Sequence, residues 1–295
     1  MPAPSSDWVE RMHFVTSHDG ARLAFEEAGA GIPIVFVHEF AGDLRSWEPQ
    51  MRQFARSHRC VAFSARGYPP SDVPEAAERY GQDIARLDVV AIMDALGIER
   101  AHVVGHSMGA FTALHVGLHH PERCLSVAAL GCGWGSNPAE RDAAAEACRN
   151  IAGLFRDKSM EEAAVAYAHF PMRLSFKAKD PRGFAEFVRM LAEHSGHGSA
   201  MTMLNLQMKR PTLWELEAEL RGFVPPLLVL LGDEDAPCLE GSLFLKRIVP
   251  TAALAVIPRA GHTITTEEPA AVNAALAELF AAAESGCWMV FKNRP

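Results

Sequence analysis

Gly105-His106-Ser107-Met108-Gly109 sets a serine between two glycines, directly behind the apolar run Ala101 to Val104. A serine on a sharp strand-to-helix turn must adopt a strained backbone, and small neighbours let the chain fold back past itself. Such a turn aims a helix N-terminus and the Met108 amide at the serine oxygen, which suits a developing oxyanion. Serine at its ordinary pKa is a poor nucleophile, so the chemistry needs a histidine base and a carboxylate to orient that base. Both follow in the chain. LLVLLGDEDAP closes an apolar run at Gly232 and continues into Asp233, Glu234 and Asp235, while IPRAGHTITTEEP puts His262 in a loop behind another apolar run. Of the 13 histidines only His262 has that placement. Nucleophile, orienting acid and base are the parts of acyl transfer, with Asp233 and Asp235 both open as the acid.

The elements around these residues alternate. MHFVTSH, ARLAFEEAG and IPIVFV are three strands separated by turn signals, the third deeply buried. Leu44 to His58 reads as helix, Cys60 to Phe63 as a short strand, and RGYPPSDVP as a loop forced by two adjacent prolines. Tyr80, Ile84, Leu87, Ala91 and Ala95 mark one apolar helix face, and Gly97 sits where a left-handed C-terminal cap belongs. A helix opens after Ser107 and ends before Pro121, and a strand follows at Leu125 to Leu130. Strand, helix, strand at these lengths implies parallel crossovers in one sheet. From Pro225 the alternation resumes with PLLVLLG as a buried strand, a helix over Glu240 to Ile248, a strand over Ala253 to Ile257 and a long helix over Glu267 to Ala283.

Between Gly135 and Gly222 the alternation stops. Helices rich in Ala and Met are expected there, interrupted at Pro171, Pro181, the Gly196/Gly198 pair and Pro211. The stretch Ser136 to Gly222 holds 12 basic and 12 acidic residues, so the remainder of the chain carries the whole net charge of -8. That shift argues for a helical insertion in a single sheet domain. Its six Met and five Phe suit a roof over an apolar ligand, and equally suit ordinary helix packing. The final eleven residues, SGCWMVFKNRP, fit none of these elements.

Composition narrows the partners. With 295 residues, 49% of them apolar, the chain can bury a full core, and no cluster of Lys and Arg stands out to neutralise a run of phosphates. Nucleic acid is not an expected partner. No run reaches the roughly 20 apolar residues of a membrane span, and Met1 to Arg11 lacks the pattern of a secretory signal, so a cytoplasmic protein is expected. Six scattered cysteines without a C-x-x-C pair suggest reduced, partly buried thiols. His38-Glu39 lacks the second histidine of H-E-x-x-H, and His194 and His197 lie among glycines and read as solvated loop residues, so no metal is expected.

On VVGHSMG, the preceding LDVVAIMDALGIERAHVVG, the acid turn LLGDEDAP, and the Gly-His with Glu267 and Pro269 behind it, the sequence resembles the α/β-hydrolase superfamily. The resemblance covers nearly the whole chain. It points to the lidded branch, with its enol-lactone hydrolases, carbon-carbon bond hydrolases, esterases and cofactor-free haloperoxidase-like proteins. It implies an α/β fold with a mostly parallel sheet flanked by helices, a core over 1–135 and 223–295, and a helical lid over 136–222 inserted after the sixth strand. In this branch the acid stands three residues after the glycine closing its strand, which is Asp235, with Asp233 as runner-up. Ser107, Asp235 and His262 are then the triad, and the amides of Phe40 and Met108 the oxyanion hole.

The loop that carries Phe40 departs from the family. It reads His38-Glu39-Phe40-Ala41-Gly42, with Glu39 where relatives have glycine, and a carboxylate there would repel an oxyanion. The expectation is that Glu39 turns outward to a cation such as Arg45; the sharper possibility is that it binds a polar substrate group or positions a water. In RGYPPSD, Arg66 and Asp72 are expected to be structural. His106 should shape the pocket rather than transfer protons, and Cys132 and Trp134 should either line its floor or pack in the core. The resemblance implies a hydrolase without cofactor or metal, acting through an acyl-serine on a small, largely apolar ester, lactone or related carbonyl compound. The same triad could serve carbon-carbon cleavage, and a ligand receptor on this fold is the reading from another class. A small-molecule substrate is the partner expected, with no membrane; homo-oligomerisation is left open.

Overall fold

A computed structural model describes residues 12–288. The expectations placed on Met1 to Arg11 and on the last seven residues lie outside that range. Eight strands form one sheet: β1 His13–Thr16, β2 Arg22–Ala28, β3 Pro33–Val37, β4 Arg59–Phe63, β5 Ala101–His106, β6 Cys124–Leu130, β7 Leu227–Gly232 and β8 Ala252–Ile257. Their order is β1-β2-β4-β3-β5-β6-β7-β8; β2 pairs antiparallel with both β1 and β4, and every later pair is parallel. Central parallel strands are covered on both faces, which is why β5 and β7 are buried along their whole length.

Helices α1 Glu48–Phe54, α2 Gln82–Ala95 and α3 Met108–His119 accompany the first half of the sheet. Within the stretch between β6 and β7 lie α4 Arg141–Asp157, α5 Met160–Ala168, α6 Leu174–Lys179, α7 Pro181–Ala192, α8 Gly196–Met201 and α9 Glu217–Leu220. The chain closes with α10 Ala236–Ile248, α11 Ile264–Glu267 and α12 Pro269–Glu284. One core lies under α2, α3 and α10, built on Val89, Ile92, Phe111, Leu114 and Leu245 against the strands. The other lies under α1 and α12, around Trp47, Met51, Leu276 and Phe280. A third apolar cluster belongs to the insertion: Phe155, Tyr167, Phe176 and Phe187 pack with Phe40, Tyr68 and Met108 of the sheet domain.

Three sequence expectations need correction. The long C-terminal helix begins at Pro269 rather than Glu267, because Pro269 cannot donate to a preceding turn and instead opens α12. The interruption expected at the Gly196/Gly198 pair falls just ahead of it, between Ala192 and Gly196, and the pair itself starts α8; a Cβ on Gly198 would sit 2.0 Å from the Gly67 carbonyl oxygen, so glycine permits a backbone-to-backbone approach. The buried stripe of α2 is Gln82, Asp88, Val89, Ile92 and Met93 rather than the Ile84-Leu87-Ala91-Ala95 face. The helix is turned by a polar anchor, since buried Asp88 holds Arg66 through two bonds of 2.7 Å. Arg66 also reaches Asp19, and Asp72 accepts from the Arg22 amide at 2.8 Å, structural roles as expected. Of the terminal SGCWMVFKNRP run, residues 285–288 lie outside every helix and strand, as expected, and the indole of Trp288 donates to the Thr251 carbonyl at 2.8 Å and packs on the α12 core.

Burial also sets an acid limit. His38, His102, His106 and His115 are each pushed by burial from the usual 6.5 down to about 4. Unfolding restores the ordinary pKa, so the unfolded chain takes up protons between pH 6.5 and 4 that the folded one refuses; stability is full above 6.5 and falls as pH drops through that window. His115 is the costliest of the four, because neither ring nitrogen has a hydrogen-bond partner among the described residues. A His115→Leu protein should gain about 1–2 kcal/mol at pH 7 and lose stability less steeply on acidification, as read by urea unfolding at a series of pH values.

Candidate active site

Ser107 sits between β5 and α3 with φ 53° and ψ −108°, a left-handed backbone that only tight surroundings sustain. Its amide donates to the Leu130 carbonyl of β6 at 2.7 Å. The two flanking glycines are fixed by contact: a Cβ on Gly105 would lie 2.0 Å from the Gly109 oxygen, and one on Gly109 would lie 2.1 Å from the Val37 oxygen. Met108 heads α3, so its amide has no acceptor within the helix. The Phe40 amide is likewise without an acceptor among the described residues.

His262 follows β8 and is buried. Its Nε2 is 2.8 Å from Ser107 Oγ, and its Nδ1 is 2.7 Å from Asp235 Oδ2. Asp235 caps the start of α10, just beyond β7. Burial pushes the Asp235 carboxyl up, but the charge of His262 and the bond to it outweigh that and hold the acid below its usual range. An ionised acid on Nδ1 leaves Nε2 to accept a proton from the serine. Asp233, by contrast, is exposed and accepts from the Ala260 amide at 3.3 Å. Glu267 holds the same loop by accepting from the Gly261 amide at 2.9 Å.

Glu39 does not turn outward to Arg45. It is buried and lies in a two-pronged ion pair with Arg173, which stands in the insertion between α5 and α6. Arg45 instead bonds Asp43 and Glu193. Burial pushes the Glu39 carboxyl up, yet the Arg173 charge, helped by the nearby His106 and His262, brings it down to about 2, so the pair is ionic. The repulsion that a carboxylate beside Phe40 would exert is thereby neutralised. Arg173 also donates to Thr263 Oγ1 at 2.5 Å, and the His262 amide donates to the Met172 carbonyl at 2.8 Å. Two successive insertion residues thus hold both the Phe40 loop and the His262 loop. The Glu39 carboxylate is 3.9 Å from His262 Nε2.

A cavity of about 420 Å³ opens beside Ser107 and His262, lined among others by Trp134, Tyr167, Met203 and Gln207. Of the two places open to Trp134, pocket floor or core, it takes the pocket; Cys132, His38 and His106 do not line it. Cys132 is core, its carbonyl accepting from Ser242 at 3.0 Å. His38 accepts from the Ala65 amide at 2.9 Å and packs edge-on against Tyr68. The His106 ring bonds the His262 carbonyl at 2.7 Å and so steadies the histidine loop from behind. Glu39 borders a neighbouring cavity with Phe176 and Phe187. Cys238 is a lining residue that the sequence did not signal: its thiol donates to the Gly131 carbonyl at 3.3 Å, and burial raises its pKa well above the ordinary range. Met203 and Gln207 reach the cavity from a π-helical stretch, Thr202–Gln207, that continues α8.

His194 is buried against Asp43 and Tyr68, not solvated, and His197 bonds the Pro74 carbonyl. Two other sets of side chains come within metal-holding distance among the described residues. One is Asp235, Cys238 and His262, whose facing atoms are already spent on one another. The other is Asp83, His115 and His119, where the Arg86 guanidinium 3.2 Å from Asp83 opposes a second cation.

Residues 32–269 match the family model described as the alpha/beta hydrolase fold. The chain belongs to the α/β-hydrolase family. This hydrolase is 26% identical over 284 residues to the 2-hydroxymuconate semialdehyde hydrolase of Pseudomonas sp. (strain CF600), covering 90% of this chain and 93% of the relative. Among solved structures it is similar to a thermophilic esterase from Thermogutta terrifontis, with TM-score 0.82 and 24% identity over 92% of this chain and 99% of the other. The enol-lactonase from Burkholderia xenovorans LB400 matches with TM-score 0.77 and 21% identity over 91% and 100% of the two chains.

Proposed function

We propose that this α/β-hydrolase cleaves a small ester, lactone or related carbonyl compound through an acyl-enzyme on Ser107. The observation that carries the reading is the continuous relay from Asp235 through His262 to Ser107, with links of 2.7 and 2.8 Å. His262 takes the serine proton as Oγ attacks the carbonyl carbon, and Asp235 keeps the imidazole in the tautomer that can accept it. The amides of Phe40 and Met108 receive the oxyanion. Collapse of the tetrahedral adduct expels the leaving group with the proton from His262, and water then repeats the cycle on the acyl-serine. The segment 136–222 acts as the lid, because its Tyr167, Phe170 and Met203 wall the cavity over Ser107 and exclude water from the reacting carbonyl.

A second reading has the same relay hydrolyse a carbon-carbon bond in a conjugated ketone, and it is favoured by likeness to a relative named for 2-hydroxymuconate semialdehyde. Aryl esters, lactones and conjugated diketones assayed side by side decide between them. Ester turnover with loss of fluorophosphonate labelling in Ser107→Ala is the outcome expected of the first reading; turnover of diketones alone selects the second, and labelling that survives the substitution refutes Ser107 as nucleophile.

A further inference from the structure

Gln207 is buried in the π-helical stretch and lines the Ser107 cavity. Arg210, one turn on, donates through Nη1 to the Gln207 side chain and through Nη2 to the Trp134 carbonyl at 2.8 Å. A guanidinium has donors only, so the Gln207 atom facing it is the carbonyl oxygen, and the amide nitrogen is the group left for the cavity. That nitrogen has no hydrogen-bond partner among the described residues. The order is therefore cation, carbonyl, then a free N–H₂ donor polarised toward the open space.

Arg210 itself is unusual. It is 5% exposed and its guanidinium lies 3.5 Å over the Phe111 ring, with no carboxylate paired to it among the described residues. Burial pushes its pKa down to about 10, and nearby Arg141 adds to the same direction. A buried cation lacking a counter-ion favours an anion brought in from outside. Glu234 is the single carboxylate among the cavity's lining residues, and it is exposed.

We propose that Gln207, backed by Arg210, is a substrate-recognition subsite of the Ser107 cavity that takes an acceptor oxygen, a carboxylate above all, on the part of the substrate remote from the scissile carbonyl. This rests on the reading of Ser107 as an acyl-transfer nucleophile. The subsite refines that reading from an apolar carbonyl compound to one with an acid group at its far end.

The test uses three para-nitrophenyl esters of matched length: the glutarate monoester, its methyl-ketone counterpart and a branched alkyl counterpart. The wild-type kcat/KM ratio of acid to alkyl ester is expected to exceed about tenfold, the effect of one charge-assisted hydrogen bond. Gln207→Leu should bring that ratio to near one, and Gln207→Glu, whose carboxylate can pair with Arg210 and so keep the fold, should invert it. A wild-type ratio near one, or a ratio unmoved by both substitutions, overturns the proposal. A methyl ketone as good as the acid keeps the acceptor subsite and removes the preference for charge. Calorimetric binding of glutarate to Ser107→Ala protein separates this from the catalytic reading. If no ester is turned over yet glutarate binds and Gln207→Leu abolishes binding, the subsite stands and the nucleophile assignment fails; if glutarate does not bind and no ester is cleaved, both fail.

Discussion

Replacing Ser107 by alanine should lower kcat by about 10⁴- to 10⁶-fold and abolish labelling by a fluorophosphonate, while far-ultraviolet circular dichroism and the melting temperature stay close to wild type. The fold should tolerate the change because the strain at residue 107 is borne by the backbone and its Leu130 bond, not by the hydroxyl. Asp235→Asn should cost about 10⁴-fold, since an amide can no longer hold the His262 tautomer that leaves Nε2 free. Asp233→Asn should change kcat less than about threefold, its carboxylate being exposed and spent on the Ala260 amide. Equal losses in the two aspartate variants would contradict the assignment of the acid.

The second large effect concerns the buried pair across the roof. Arg173→Met leaves the Glu39 carboxylate buried without a cation, and should destabilise the protein by about 3–5 kcal/mol in urea unfolding. The double substitution Glu39→Gln with Arg173→Met removes both charges and should recover more than half of that loss, because a buried ion pair replaced whole costs far less than one broken. Activity should follow a different rule. Both the single and the double variant sever the link from the insertion to the Phe40 loop and to Thr263, so kcat should stay depressed about tenfold or more even where stability returns. Recovery of kcat along with stability would mean that the pair serves folding alone.

The sheet and the approach of Ser107, His262 and Asp235 to one another were legible for a shared reason. Buried parallel strands are short apolar runs, and the turn at Ser107 demands glycines at fixed offsets, so adjacent residues carry the whole signal. The Asp235 position was readable from its strand end. Its choice over Asp233 rested on family resemblance, because two acids on one turn look alike until the direction of each side chain is known. Glu39 was visible as an oddity, but its partner lies 134 residues away in a segment without strand alternation, and no local pattern pairs them. The rotated face of α2 was missed because a buried aspartate overrides an apolar stripe. The pocket was the least legible part: His106 and His38 stand close in the chain to Ser107 and Phe40, and Cys132 lies just past β6, yet none of the three lines the cavity, whereas Gln207 reaches it from a stretch read only as helix and Cys238 from the turn ahead of a helix read to begin at Glu240.

The wider winding at Thr202–Gln207 means that the rim of the cavity is indexed to one surplus residue in the coil. Taking a single residue out of that stretch would return it to ordinary α geometry with the turns on either side still in phase, because the wide turn already absorbs the surplus residue. The change would fall on the stretch itself, on how Met203 and Gln207 meet the cavity, and would spare the helical chain beyond it. The cavity rim can therefore be reshaped by the loss of one residue without moving the sheet or the turn that carries Ser107.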